Sequence, residues 1–212
     1  MTEILLSDVS KTFKGRRVLR DVTLAIEAGR SYAITGPNGS GKSVLLKLMC
    51  KLLLPSSGRV VIDPKYLSAS RTFPDRFGVS IDGPAYLPGL TGEDNLRELA
   101  RIRNRVGDVE IGATMDDFGL ERGRKTKVRA YSMGMKQKLS LIQAVMERPD
   151  VLILDEPFNA LDTSSRARAT SVLRGHLKGG GTLVFTSHYE SEVSDLADEV
   201  YSIDTQHLVK VS

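Results

Sequence analysis

A chain of 212 residues with 41% apolar residues can bury a substantial core without disulfides or a structural metal. Its net charge of +4 is small beside 30 basic and 26 acidic side chains, so composition gives no reason to expect a nucleic-acid partner. Cys50 is the single cysteine, which excludes an intrachain disulfide, and no apolar run approaches the roughly twenty residues that cross a bilayer. We therefore expect a cytoplasmic protein that only a partner would hold at a membrane.

The first part of the chain predicts strands around one helix. Alternating apolar positions over 4–9 and 18–26, with turn signals after each, predict an antiparallel hairpin. A short apolar strand over 32–35 then runs directly into a glycine-rich turn. Residues 43–53 predict a helix, and residues 59–62 predict a further strand.

The middle of the chain predicts helices, and the last third predicts strands and helices in alternation. Helical spacing over 93–105, 111–118 and 132–147 indicates a helical insert, at approximately residues 84–147, within a single domain of residues 1–212. Beyond the insert, alternating strands and helices imply a parallel sheet covered by helices. The predicted strands there are 151–154, 182–186 and 200–203, and the predicted helices are 166–177 and 191–197.

Residues 36–43 match the phosphate-loop pattern in full and lie where it must lie, after a strand and at the start of a helix. Converging backbone N–H groups and the helix N-terminus favour an anion, Lys42 would reach the β and γ phosphates, and the Ser43 hydroxyl would ligate Mg²⁺. The segment therefore predicts ATP bound with magnesium. Its residues are Gly36, Pro37, Asn38, Gly39, Ser40, Gly41, Lys42 and Ser43.

A buried strand over 151–154 ends in two adjacent carboxylates, at the sheet edge where parallel sheets place their ligands. Asp155 would hold magnesium. Glu156 points the other way from the strand and can polarise the attacking water as a general base, which contributes roughly 10²–10⁴ in rate. The pair predicts an ATPase.

Two further motifs flank that strand. Tyr131–Gln137 lies just upstream, and Thr186–His188 lies beyond it. With the phosphate loop, this order of motifs resembles the ATP-binding cassette (ABC) family over essentially the whole chain. The resemblance implies an α/β fold of the P-loop NTPase type, with a mostly parallel core sheet, an N-terminal antiparallel β subdomain and an inserted α-helical subdomain.

The resemblance also implies roles for single residues. Phe13 is similar to the aromatic that stacks on adenine, and His188 to the histidine that contacts the γ-phosphate. In the family two cassettes pair head to tail, so Ser132 and Gly134 would supply donors to a nucleotide on a second subunit, identical or related. Asp162 would shape that contact. A monomer would then be catalytically incomplete.

The chain departs from the family pattern at two places. Tyr131, Met133 and Met135 replace the usual residues of the signature, a variant similar to those of exporter-type cassettes. Asp82 stands where a glutamine normally contacts magnesium and the attacking water. An aspartate can still ligate magnesium through an intervening water, but Asp82 can equally do no more than begin the turn to Pro84.

An apolar loop over 84–90 precedes the insert, and exposed apolar loops are often interfaces. In the family this region resembles the groove that receives a helix from a membrane-spanning partner. We therefore expect a subunit that powers transport, with export favoured, bound peripherally on the cytoplasmic face of the membrane through a transmembrane transporter subunit.

Two other functional classes compete with this interpretation. A soluble ABC-type ATPase in assembly, of the iron–sulfur kind, would share every motif and would lack a transmembrane partner. A GTPase or small-molecule kinase would share the phosphate loop but would not need Ser132, Asp162 and His188 in this order. A basic stretch ahead of the signature could face lipid head groups or nucleic acid, but the favoured interpretation is a solvated loop. Its members are Arg122, Arg124, Lys125, Lys127 and Arg129.

Overall fold

Strands and helices alternate along most of the chain in the computed structural model, which describes residues 1–68 and 73–212. The strands are β1 (Thr2–Phe13), β2 (Arg16–Glu27), β3 (Ser31–Thr35), β4 (Ser57–Ile62), β5 (Phe77–Ser80), β6 (Val151–Leu154), β7 (Thr182–Thr186), β8 (Glu199–Asp204) and β9 (His207–Lys210). The helices are α1 (Lys42–Met49), α2 (Gly92–Arg103), α3 (Asp108–Asp117), α4 (Met133–Val145), α5 (Thr163–Lys178) and α6 (Glu190–Leu196).

The strands form two sheets. The smaller is antiparallel, in the order β2-β1-β4, and the larger has the order β5-β6-β7-β3-β8-β9, parallel except for β9. Strands β6 and β7 are buried at every residue, as expected of parallel strands covered on both faces. The predicted α/β fold, with an antiparallel N-terminal sheet and helices between β5 and β6, is confirmed.

The sheet order positions the candidate site. Because β5, β6, β7 and β3 are parallel neighbours, the segments that follow them emerge at the same edge. One apolar core lies around α1 and the smaller sheet, and a second lies under α2, α3, α4 and α5. The edge is therefore carried by a sheet that is packed on both faces.

The structure corrects one predicted boundary and adds one strand. The helix predicted over 43–53 ends at Met49, because Lys51 has a left-handed backbone with φ of 57°. The segment 207–210, for which no element was predicted, pairs antiparallel with β8 as an edge strand, and its mostly exposed side chains hide the alternation that marks a strand. Cys50 is buried, and burial raises the pKa of its thiol to about 11, as its apolar neighbours suggest.

We expect Gly78→Ala to destabilise the fold. A Cβ on Gly78 would lie 2.0 Å from the carbonyl oxygen of Ala144 in α4, so strand and helix would have to separate. Overpacking of this kind costs about 1–3 kcal/mol in the free energy of unfolding. Gly175→Ala is the matched control, because a Cβ there meets nothing within 4 Å. Urea denaturation should show a lower midpoint for the first variant alone, and equal midpoints would contradict the close approach.

Candidate nucleotide-binding site

The loop between β3 and α1 has the backbone that phosphate binding requires. Gly36, Gly39 and Gly41 have φ of 129°, 77° and 110°, values that residues with a side chain rarely adopt. A Cβ on Gly41 would also lie 2.9 Å from the side chain of Val18 in β2. Glycine at these positions therefore lets the loop turn tightly into the N-terminus of α1, where backbone N–H groups and the helix dipole favour an anion.

Lys42 closes the loop on itself. Its Nζ donates hydrogen bonds to the carbonyl oxygens of Gly36, at 2.8 Å, and Pro37, at 3.2 Å. Burial lowers the pKa of Lys42, an effect that the carboxylates of Glu156 and Asp155 partly offset. The ammonium is thus held at the mouth of the loop, with less water around it than on the surface, which strengthens its interaction with a phosphate.

Ser43 and Asp155 meet at this edge, as the sequence predicts. The Ser43 hydroxyl donates to Oδ2 of Asp155 at 2.5 Å, and the Thr186 hydroxyl donates to Oδ1 at 2.7 Å. Hydroxyl and carboxylate oxygens are the ligands that Mg²⁺ prefers. The donor set of Ser43 and Asp155 therefore fits a magnesium ion. Thr186, for which the sequence predicted no separate role, orients the carboxylate.

Glu156 and His188 form the second pair. Nε2 of His188 lies 2.8 Å from Oε1 of Glu156, and each side chain is 36% exposed. Glu156 has a left-handed backbone, with φ of 48°, and its N–H donates to the Thr186 hydroxyl at 2.8 Å. Thr186 thus anchors both adjacent carboxylate residues while Glu156 turns toward the histidine. Backbone strain of this kind clusters at functional sites.

A cavity of about 670 Å³ extends from Phe13 to the phosphate loop. Phe13 and Glu156 both line it, so the structure brings the predicted adenine-stacking residue and the predicted general base to one cavity. The turn between β8 and β9 also reaches it, which the sequence did not indicate. The lining residues are Phe13, Pro37, Asn38, Gly39, Ser40, Gly41, Lys42, Ser43 and Glu156 from the predicted set, and Arg16, Arg17, Val18, Val44, Ile203, Thr205 and Gln206 beyond it.

Replacing Phe13 with alanine should weaken ATP binding by about 1–3 kcal/mol, the contribution of one base–aromatic stack. Lys11 lies 5.0 Å from the ring centroid, and the ring is 42% exposed at the cavity. Binding of inorganic triphosphate, which has no base, is the control and should not change. Phe13→Tyr should retain ATP affinity in the same calorimetric titration. An equal loss for ATP and triphosphate would show that Phe13 supports the loop rather than the base.

The predicted signature residues lie outside this cavity. Ser132 is the exposed N-cap of α4, where its hydroxyl accepts a hydrogen bond from the backbone N–H of Met135 at 3.2 Å. Gly134 packs closely on the turn before α5, since a Cβ there would lie 2.8 Å from the carbonyl oxygen of Ala160.

Gln137, the last residue of the signature, donates to the carbonyl oxygens of Glu156, at 3.3 Å, and Pro157, at 3.0 Å. Hydrogen bonds thus join α4 to the segment that carries Glu156, and no sequence pattern indicated that contact.

Asp162 caps α5. Its Oδ1 accepts from the backbone N–H of Ser165 at 2.7 Å and from the Ser164 hydroxyl at 2.9 Å. The hydrogen bond from the Ser165 backbone lowers the pKa of Asp162 to about 2, so the group is ionised at neutral pH. Within this chain its contacts are those of a helix cap, and its role at a subunit contact stays a prediction.

Asp82 pairs with Lys47 of α1 in an ion pair and is more than half exposed. It has a left-handed backbone, with φ of 62°, and begins a turn with Gly83, whose φ is 87°. This contact fits the alternative in which Asp82 begins a turn. Its role as a magnesium ligand stays a prediction.

The basic stretch ahead of the signature is partly neutralised within the fold. Arg122 donates to Asp116, with Nε 2.8 Å from Oδ1, and Arg124 lies 2.9 Å from Glu121. These contacts are consistent with the interpretation of a solvated loop.

The chain is similar in sequence to known proteins. The sequence model of the family described as ABC transporter matches residues 19–159. The chain is 35% identical over 198 residues to "Uncharacterized ABC transporter ATP-binding protein YybJ" of Bacillus subtilis, covering 93% of this chain and 90% of that protein. It is 32% identical over 205 residues to "Bacitracin transport ATP-binding protein BcrA" of Enterococcus faecalis, covering 96% and 67%.

The fold matches solved structures as well. The solved dimer of the ATP-binding cassette MJ0796 in a post-hydrolysis state with ADP and Pi has a TM-score of 0.86 and 23% identity to this chain, covering 99% of both chains. At that identity the match establishes the fold alone.

Proposed function

This chain belongs to the ABC transporter family as an ATP-binding subunit that hydrolyses ATP, and on that premise we propose that it drives export across a membrane through a transmembrane partner. The observation that supports the chemistry is the meeting of Ser43, Asp155, Glu156 and His188 at one edge of the sheet, beside a complete phosphate loop. Each of these groups has a separate task in phosphoryl transfer to water.

The first task is to bind and polarise the phosphates. Backbone N–H groups of the loop and the N-terminus of α1 would hold them, and Lys42 would exchange the carbonyl oxygens of Gly36 and Pro37 for phosphate oxygens. Ser43 and Asp155 would hold Mg²⁺, which when bound neutralises charge that develops on the phosphate oxygens. Phe13 would stack on the adenine.

The second task is to activate the attacking water. Glu156 would accept a proton from that water, and His188, 2.8 Å from Oε1 of Glu156, would orient the carboxylate and contact the γ-phosphate. Asn159 steadies the other oxygen, since its Nδ2 lies 3.4 Å from Oε2. This division leaves Asp155 for the metal and Glu156 for the proton.

The third task, donating hydrogen bonds to the phosphates from the opposite side, falls to a second copy of the chain. ABC transporter ATP-binding subunits dimerise, and Ser132 of this chain is exposed at a helix N-terminus outside its own nucleotide cavity. In a head-to-tail dimer, Ser132 and Gly134 would donate to the phosphates of the opposite site, and each such donor can contribute about 3 kcal/mol to transition-state stability. Gln137 would relay closure to Glu156 through its contacts with the 156–157 carbonyls.

The partner-binding surface lies on the helical insert. A cleft of about 390 Å³ opens between β5, α2 and α4. Its lining combines apolar residues, among them Val79, Ala85, Leu99 and Ile102, with the charged residues Arg76, Arg103, Arg105 and Glu147. Ile102 is 71% exposed and lines the cleft, so it offers an apolar contact to a partner seated there. No helix within 1–68 or 73–212 combines the length and apolarity of a membrane span. We propose that a segment of a membrane-spanning subunit occupies this cleft and holds the chain at the cytoplasmic face.

Export is the direction that the signature favours. The signature has Tyr131, Met133 and Met135, a variant similar to those of exporter-type cassettes. The relative BcrA is named a bacitracin transport ATP-binding protein, which supports a role in transport whatever its direction. We propose that this chain powers outward movement of a compound selected by its membrane partner.

The proposal is tested by recovering the partner. Tagged chain should co-purify with a polytopic membrane protein from detergent-solubilised native membranes. Ile102→Glu should abolish that recovery, because it replaces an exposed apolar side chain of the cleft with a charged one that a partner would have to desolvate. Val109→Glu is the matched control, since Val109 is 80% exposed on α3 and does not line the cleft. Recovery of a soluble scaffold instead would favour the assembly-type ATPase and would overturn a role in transport.

A further inference from the structure

A buried carboxylate, that of Glu192, contacts the segment that carries His188. Glu192, in α6, is 7% exposed although its helix lies on the surface of the molecule. Burying an ionised carboxylate is costly unless it is paired, so its partners indicate what it is there to hold. Oε2 contacts Ser187, the residue before His188, and Oε1 contacts Arg166 in α5.

The first contact fixes the residue before the histidine. Oε2 of Glu192 accepts a short hydrogen bond from the hydroxyl of Ser187, which is itself buried. The same hydroxyl accepts a hydrogen bond from the backbone N–H of Tyr189 at 2.9 Å. These hydrogen bonds connect Ser187 to Tyr189 on either side of His188. The turn that carries the histidine is thus held by Glu192, in the first turn of α6.

The second contact fixes the residue after the histidine. Arg166, in the first turn of α5, has Nη1 2.7 Å from Oε1 of Glu192, and its guanidinium carbon lies 5.0 Å from the ring centroid of Tyr189. The contact with Glu192 is an ion pair rather than a hydrogen bond, since Oε1 has no donor in bonding geometry among the described residues. Arg166 therefore links the carboxylate to Tyr189 through charge and ring contact.

His188 itself is exposed, and its ring nitrogen makes the 2.8 Å contact with Glu156. An exposed ring at the end of a strand has several rotamers and backbone positions open to it, so its alignment must come from neighbouring residues. The contacts of Ser187 and Tyr189 supply that alignment.

We propose that Glu192 and Arg166 are positioning residues for ATP hydrolysis, which hold the Ser187–Tyr189 turn so that His188 meets Glu156. The proposal rests on the proposed function, because it assigns His188 and Glu156 their catalytic roles. Among the described residues, neither α5 nor α6 contributes to the lining of the nucleotide cavity, so the proposal adds two helices outside the cavity to the machinery that sets the rate.

The test is a double-mutant cycle on ATP hydrolysis by the full chain. Glu192→Gln, which can still accept from Ser187 but loses the ion pair with Arg166, should lower kcat about tenfold with KM for ATP unchanged. In a His188→Ala background the same substitution should change kcat by less than about twofold, because its effect passes through the histidine. Arg166→Gln should behave in the same way.

Asp195→Asn is the matched control, because it breaks the neighbouring ion pair between α5 and α6, in which Arg174 Nη2 lies 3.3 Å from Asp195 Oδ1, without reaching the turn. It should leave kcat unchanged, and thermal melting checks that every variant is folded. Equal losses from Glu192→Gln in the wild-type and His188→Ala backgrounds would overturn the positioning role. Wild-type activity of His188→Ala alone would instead overturn the proposed role of His188, on which the positioning role depends.

Discussion

Replacing Glu156 with glutamine should lower the rate of ATP hydrolysis by about 10²–10⁴, the contribution of a positioned general base. Glutamine keeps the shape of the side chain, and its amide oxygen can still accept from His188, but it cannot take a proton from water. The backbone contacts that place residue 156, its N–H on Thr186 and its carbonyl on Gln137, do not depend on the carboxylate. Folding and nucleotide binding should therefore be retained.

The same variant should trap the nucleotide-bound dimer. When ATP and magnesium are present and hydrolysis is blocked, the dimer cannot dissociate through cleavage of its bound ATP. Light scattering should therefore show the mass of a dimer with ATP and the mass of a monomer without nucleotide. Glu190→Gln, an exposed carboxylate in the first turn of α6, is the control and should hydrolyse ATP normally. Retention of activity within about tenfold of wild type by Glu156→Gln would remove Glu156 as the base.

The parts of the site that sequence alone predicted are the ones that local chemistry dictates. Three glycines, Lys42 and Ser43 lie in one short segment, and each has a reason for its place that needs no distant neighbour. Asp155 and Glu156 follow directly from a strand buried at every residue. The secondary structure around them was equally local, since the periodicity of α2, α3 and α4 could be read directly from the chain.

What the sequence did not predict depends on register and packing. Thr186 contacts both carboxylate residues only because β6 and β7 pair with Leu154 opposite Phe185, which sets the next residues side by side. The bonds of Gln137 to the 156–157 carbonyls require α4 to dock on the turn after β6. The Asp82 pair with Lys47 joins residues from separate elements and carries no sequence signal. The left-handed residue Lys51, which ends α1 early, also carries none.

Mixing two inactive variants should restore ATP hydrolysis if the site is shared between copies of this chain. Lys42→Ala removes the phosphate-binding ammonium, and Ser132→Arg removes a donor and fills its place with a bulky cation, so each homodimer should be at least about 10²-fold slower. In a mixed head-to-tail dimer both lesions fall in one site, which leaves the other site with an intact Lys42 and an intact Ser132.

An equimolar mixture should therefore recover about a quarter of wild-type activity, since half of the dimers are mixed and each has one working site of two. Val109→Arg, a cation added at an exposed position of α3, controls for charge, and Ser132→Thr, which keeps the capping hydroxyl, should stay active alone. If the mixture is as slow as its components although dimers form, Ser132 does not act on the opposite Lys42 site. The second signature would then have to come from a related chain, because Ser132 lies outside the nucleotide cavity of its own subunit.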